Sequence, residues 1–149
     1  MTVTKAHLNW VKDYFRKACR TPVLENFLGV EVVSLSEGRS SCRMRTGAAH
    51  ANIYGTVHGG TLAALSDFAM GVACVSTGRR VVTIDMNISY IKGAAAGGPL
   101  RAEGEVISSG KRIMRAEGKI YCGRQLLVRT QASYYVTGEF HSGDYPRRG

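Results

Sequence analysis

Between Leu62 and Val75 the chain runs through small and apolar residues with a single charge among them, Asp67. Such a run reads as a helix, and a helix apolar on nearly every side has to be buried. The rest of the chain must therefore supply a surface that wraps it. A carboxylate inside such packing is costly unless something pairs it. Asp67 is thus either paired from elsewhere in the fold or kept for chemistry. The helix is entered from a polar, turn-rich loop, HANIYGTVHGG, that spans residues 50–60.

Gly59 and Gly60, just ahead of the helix, admit two readings. They can simply make a tight turn into it. Adjacent glycines also let another group approach the backbone closely, and they leave the first helical N–H groups aimed at an electron-rich oxygen. The second reading suits a carbonyl that becomes an oxyanion. Asp67 follows Gly59 by roughly 12 Å along a helix, at about 1.5 Å per residue. One chain's Gly59 N–H and its own Asp67 therefore cannot both touch one reacting carbon. If both are catalytic, Asp67 meets the glycine of a second copy across a two-fold axis. A strictly monomeric active protein would disprove this.

Residues 5–19 give a short amphipathic helix, with Leu8, Val11, Phe15 and Ala18 at helical spacing and Pro22 closing the segment. It is expected to pack beside the sheet or act as a lid. Residues 26–35 and 38–45 are expected as short strands joined by a hairpin-like turn. The central helix should end near Gly78. Residues 81–91 form the plainest strand. Val82, Ile84, Met86, Ile88 and Tyr90 are expected to face the helix, with Val81, Thr83, Asp85, Asn87 and Ser89 on the other side. That polar face is unusual for a central strand and suggests an interface or a site wall. Strands follow at 100–108, 111–122 and 125–136, with turns at Ser109-Gly110 and Gly123-Arg124. Residues 138–149 are expected to be a mobile tail. Two strands, one long apolar helix and four antiparallel strands make an α+β pattern.

The pattern Asn52-x-x-Gly55-x-x-His58-Gly59-Gly60, followed by Asp67 in an apolar helix, resembles the hotdog-fold acyl-CoA thioesterases. Within them it is most similar to the phenylacetate-pathway and 4-hydroxybenzoyl-CoA type branch. The resemblance continues in VTIDMNISY at residues 82–90 and in Gly110-Lys111-Arg112, and covers roughly residues 26–136. It implies an antiparallel β-sheet wrapped around a long central helix, and a homodimer paired edge to edge that commonly assembles into a tetramer. It also implies that the Gly59 N–H receives the thioester oxygen. His58 would shape that turn, and Asn52 would add a donor to the carbonyl or to the attacking water. Read without the resemblance, plain loop hydrogen bonding is the simpler account of both. Asp67 of the partner would act as nucleophile or as general base for water, a choice the resemblance leaves open. Thr83 matches a hydroxyl position, serine in some relatives, that orients the water; read alone it is a β-branched strand residue. Leu62, Leu65, Phe68 and Tyr54 are expected to line a medium-sized apolar pocket for the acyl group, and Gly60 is also expected to bind substrate. Gly110, Lys111 and Arg112 would lie near the nucleotide of coenzyme A, the alternative being a hairpin turn with solvated charges.

At 149 residues the chain is one domain, large enough for a real core. No stretch approaches about 20 uninterrupted apolar residues, so no membrane span is expected. No apolar leader with a cleavage site is seen, so secretion is not expected. Cys19, Cys42, Cys74 and Cys122 are scattered, which argues against a zinc site or a disulfide framework and fits a reducing cytoplasm. The net charge of +9 is carried by dispersed residues without a nucleic-acid motif, so nucleic acid is not an expected partner. Coenzyme A, held by basic loop residues, and a merely solvated basic surface both stay open. Ser66-Asp67 lacks a nucleophile elbow, His50 and His58 lack metal-ligand spacing, and residues 93–98 lack the lysine of a P-loop. No metal or cofactor is expected. The reading is a cytoplasmic thioesterase that hydrolyses an aryl or medium-chain acyl-CoA with water. Two rivals remain: a hotdog hydratase or dehydratase, and a non-catalytic acyl-CoA sensor. The acid at position 67 favours catalysis over the sensor.

Overall fold

The computed structural model describes residues 3–142. Its centre is the expected apolar helix, Gly59–Ser76, the third α-helix in chain order and hence α3. Before it come Lys5–Ala18 (α1), Leu24–Leu28 (α2), Glu31–Ser36 (β1), Arg39–Arg45 (β2) and a 3-10 turn at Ala48–His50. After it come Arg79–Tyr90 (β3), Pro99–Ser109 (β4), Ile113–Cys122 (β5) and Gln125–Glu139 (β6). The strands pair antiparallel in the order β1-β2-β4-β5-β6-β3. All six strands pack against α3, which gives the α+β hotdog architecture. Helix α3 has the length and hydropathy of a membrane-crossing helix, but 61% of that window is buried inside the fold.

A row of small residues across the sheet lets α3 come close. Ser40, Gly104, Gly118 and Thr130 are successive cross-strand partners on β2, β4, β5 and β6. A Cβ on Gly104 would stand 2.3 Å from the Ala69 carbonyl oxygen, and one on Gly118 would stand 2.4 Å from Thr130 Oγ1. Ser40 Oγ donates to the same Ala69 carbonyl at 2.6 Å. On one side of this row Leu62, Leu65 and Ala69 pack with Val30, Cys42, Leu100, Ile120 and Val128. On the other, Met70 and Cys74 pack with Met114, Ala116, Ala132 and Tyr134.

Three expectations are corrected. Residues 26–30 are not strand: the short helix α2 takes the first three, and Gly29 ends it with φ 66°. The N–H groups of Gly29 and Val30 close on the Glu25 carbonyl, so strand pairing starts only at Glu31. Second, β3 lies at the edge of the sheet, and its alternation breaks at a register shift between Thr83 and Asp85. Such a bulge turns the strand over by one residue. Val82 and Ile84, expected against the helix, are 53% and 51% exposed, while Val81 packs beside Met70 and Thr83 turns to α3. Met86 and Ile88 beyond the bulge keep the expected face.

Third, the chain is not a tail from residue 138. Strand β6 runs to Glu139, and Phe140 is buried among Val11, Trp10, Tyr14, Phe15 and Val75. Apolar burial of a phenylalanine outweighs the freedom of a short terminal segment. Residues 143–149 of that expectation lie outside the described residues. Through this aromatic cluster α1 covers a face of α3, with Phe15 edge-on to Phe68 at 5.5 Å between ring centroids.

Candidate active site

The loop before α3 is braced from within. Asn52 Oδ1 accepts the N–H groups of Tyr54 at 2.9 Å and Thr56 at 3.2 Å, and its Nδ2 donates to Thr56 Oγ1 at 2.7 Å. The amide therefore closes an Asx-type turn. His50 Nδ1 accepts the Gly47 N–H at 2.9 Å, so its other nitrogen carries the proton and donates to the Phe27 carbonyl at 2.6 Å. The His50 carbonyl then takes the His58 N–H at 2.9 Å and the Thr61 hydroxyl at 3.1 Å. These bonds set the entry angle of the helix.

His58 caps α3 with its ring: Nδ1 accepts the Gly60 N–H at 2.7 Å. The Gly59 N–H is left with no acceptor among the described residues. It sits at the positive end of an 18-residue helix, where an electron-rich oxygen is stabilised. Tyr90, a residue that sequence reasoning gave no site role, fixes this position from β3. Its hydroxyl donates to the Gly59 carbonyl at 2.8 Å, and a Cβ on Gly59 would stand 3.3 Å from its ring.

Asp67 is half-buried and paired. Thr83 Oγ1 donates to Asp67 Oδ1 at 2.8 Å, and the Tyr134 hydroxyl reaches the same oxygen at 2.9 Å. Thr83 and Tyr134 are direct partners in the β3–β6 register, so the bulge in β3 is what presents both hydroxyls to one carboxylate. Oδ2 has no hydrogen-bond partner among the described residues. Burial, and then the charge of Asp67, push the Tyr134 phenol far above its ordinary range. It stays protonated and can only donate to the carboxylate. Burial likewise pushes the Cys74 thiol up to about 12, with the Asp67 charge adding to it. Tyr134 also escaped sequence reasoning, because a tyrosine in a strand looks like ordinary sheet composition.

The expected residues fall into two groups in one chain. Asn52, His58, Gly59 and Gly60 gather at the N-terminus of α3 by Tyr90, the last residue of β3. Asp67 and Thr83 gather further along, nearer the start of β3. The Gly110-Lys111-Arg112 turn is held at that start, where Arg79 donates to the Gly110 carbonyl at 2.9 Å and the Lys111 carbonyl at 2.6 Å. Of the acyl-side residues, Leu65 is 0% exposed within the core and Phe68 is half-buried against Phe15. Tyr54 is 83% exposed at the loop tip. No three His, Cys, Asp or Glu side chains cluster as metal ligands among the described residues.

Residues 54–129 match the model of the thioesterase superfamily. Human acyl-coenzyme A thioesterase 13 is 35% identical over 106 residues, 69% of this chain and 76% of the relative. Acyl-coenzyme A thioesterase PaaI of Escherichia coli is 33% identical over 85 residues, 57% of this chain and 61% of the relative. A solved structure of E. coli PaaI, from the phenylacetic acid degradation operon, superposes with a TM-score of 0.81 at 22% identity, covering 89% of this chain and 97% of that one. The Streptococcus mutans protein smu.793, solved bound to acetyl CoA, superposes with a TM-score of 0.71 at 25% identity, covering 74% and 90%. With the family match covering residues 54–129, which hold His58, Gly59, Asp67, Thr83 and Tyr90, and with a relative 35% identical over 69% of the chain, this chain belongs to the thioesterase superfamily, in its hotdog form.

Proposed function

We propose that this chain is an acyl-CoA thioesterase whose active site is completed by a second copy of itself. The observation that carries the reading is the separation of two complementary half-sites along one edge strand. At the Tyr90 end of β3 lies an open N–H, Gly59, at a helix N-terminus. Towards the other end lies a carboxylate with one oxygen held and the other unengaged. Antiparallel pairing of two β3 edges about a two-fold axis would bring the first half of one copy against the second half of the other. The exposed Val82 and Ile84 of that strand support such a contact.

In that arrangement the Gly59 N–H and the α3 dipole polarise the thioester carbonyl. Asp67 of the other copy takes a proton from water, which Thr83 helps to orient, or attacks the carbonyl carbon itself. By the first route the water C–O bond forms, the C–S bond breaks, and the proton held by Asp67 passes to the leaving thiolate. By the second an Asp67–acyl anhydride forms as the C–S bond breaks, and water then cleaves the anhydride and supplies the thiolate's proton. Water is consumed and the products are a free acid and coenzyme A. Asn52 and His58 act by holding the loop. Lys111 and Arg112 meet the phosphates of coenzyme A as exposed cations. The acyl group is aryl or medium-chain, bounded by Phe68 and by the partner's loop tip at Tyr54. Dimers pair further into a tetramer, and the four free cysteines support residence in a reducing cytoplasm.

Thiol release from a panel of aryl and aliphatic acyl-CoAs tests this, with wild type and Asp67→Asn side by side. Wild type should release coenzyme A, and the variant should lose at least about 100-fold in turnover. Acyl-CoA binding without thiol release from either protein would replace the enzyme by a sensor.

A further inference from the structure

We infer that Tyr134 is a positioning residue for Asp67, holding the carboxylate through Oδ1 so that Oδ2 is the oxygen presented to the substrate. The inference rests on the reading of Asp67 as the reacting carboxylate, but its geometry stands apart from that reading. Tyr134 is 2% exposed and lies in the core cluster with Met70, Cys74 and Ala132. A phenol in such a place has to find a hydrogen-bond partner. Its hydroxyl is 2.9 Å from Asp67 Oδ1 and 3.2 Å from the main-chain oxygen of the same residue. One group thus grips both the side chain and the backbone of Asp67.

Thr83 donates to the same Oδ1 from the strand opposite. With two hydroxyls on one oxygen the carboxylate cannot rotate without breaking both bonds. The division of labour differs between them. Thr83 is exposed on the edge strand, where a bound water or substrate competes for its hydroxyl. Tyr134 is enclosed and has no such competitor. It therefore sets the orientation of Asp67 in the free enzyme and in every step of the reaction.

The experiment compares wild type with Tyr134→Phe, which keeps the ring and removes only the hydroxyl. Two quantities are measured: the carboxyl carbon signal of Asp67 in NMR at one neutral pH, and thiol release with kcat and KM resolved. The signal should shift when the hydrogen bond is lost, and kcat should fall at least about tenfold with KM within about twofold, the scale of one hydrogen bond to a charged group. Site-specific 3-fluorotyrosine at 134, a near-isosteric and stronger donor, should move the signal the opposite way, and it serves if the phenylalanine variant fails to fold. An unchanged signal in a folded variant overturns the inference, whatever happens to kcat. The NMR signal needs no turnover, so a wild type that releases no thiol would defeat the enzymatic reading and leave this one to be judged by the signal.

Discussion

Gly59 is confined by one ring. A methyl there would stand 3.3 Å from Tyr90, so the ring or the turn has to give by a few tenths of an ångström. Because Tyr90 also holds the Gly59 carbonyl, that movement swings the N–H proposed to receive the thioester oxygen. Gly59→Ala should therefore lower kcat about tenfold or more while the melting temperature stays within a few degrees, since oxyanion geometry is sensitive at this scale. Thiol-release kinetics and a thermal melt on the same preparation check it. At this scale the sequence was informative where a residue broke a pattern. Asp67 stood out as the one charge in an apolar run, and Gly59-Gly60 as a break before a helix. Tyr134 and Tyr90 broke no pattern. They meet Asp67 and Gly59 across 67 and 31 positions of chain, through a sheet register that composition does not reveal.

The elements meet through close approach, and that is where they are vulnerable. Gly104→Val would drive its side chain against the Ala69 carbonyl, which lies 2.3 Å from where even a Cβ would sit. Overpacking against backbone should cost roughly 1–3 kcal/mol, visible as a lower denaturant midpoint at unchanged slope. The packing of α1 has a similar hinge in Phe140, 5% exposed between Trp10 and Tyr14. Buried thiols add a pH term. Cys42 and Cys74 are pushed up to about 12 and Cys19 to about 11 from an ordinary 9.0, with burial the leading cause. Folded thiols thus stay protonated where unfolded ones ionise. Their contribution is complete below pH 9.0 and is lost as the pH climbs towards 12. Melting temperatures should fall across that window, and Cys42→Val should flatten the fall. The helix, its ends and four later strands could be read from periodicity and turn residues. The bulge in β3 could not: one inserted residue leaves the same alternating letters and reverses what they face.

On the proposed reading, a single chain is not sufficient at the scale of the whole molecule. Strand β3, at the edge of the sheet, carries Thr83, bonded to Asp67, nearer its start and Tyr90, bonded to Gly59, at its end. The helical spacing of Gly59 and Asp67 already required two copies if both act, whereas the edge position of the strand was missed because its strong apolar pattern reads as central. A subunit-mixing experiment separates two copies from one. Asp67→Asn keeps an intact Gly59 loop, and Gly59→Trp keeps an intact Asp67 while blocking the turn. Each variant alone should be inactive by about 100-fold. Unfolded together at equal amounts and refolded, half of the dimers should be mixed, and each mixed dimer should regain one good site by joining the Asp67 of one chain to the Gly59 of the other. The mixture should recover about a quarter of wild-type thiol release, because the two-fold interface gives each site one contribution from each copy. If each site lay within one chain, neither member of a mixed dimer would hold both groups and the mixture would stay as inactive as its parts.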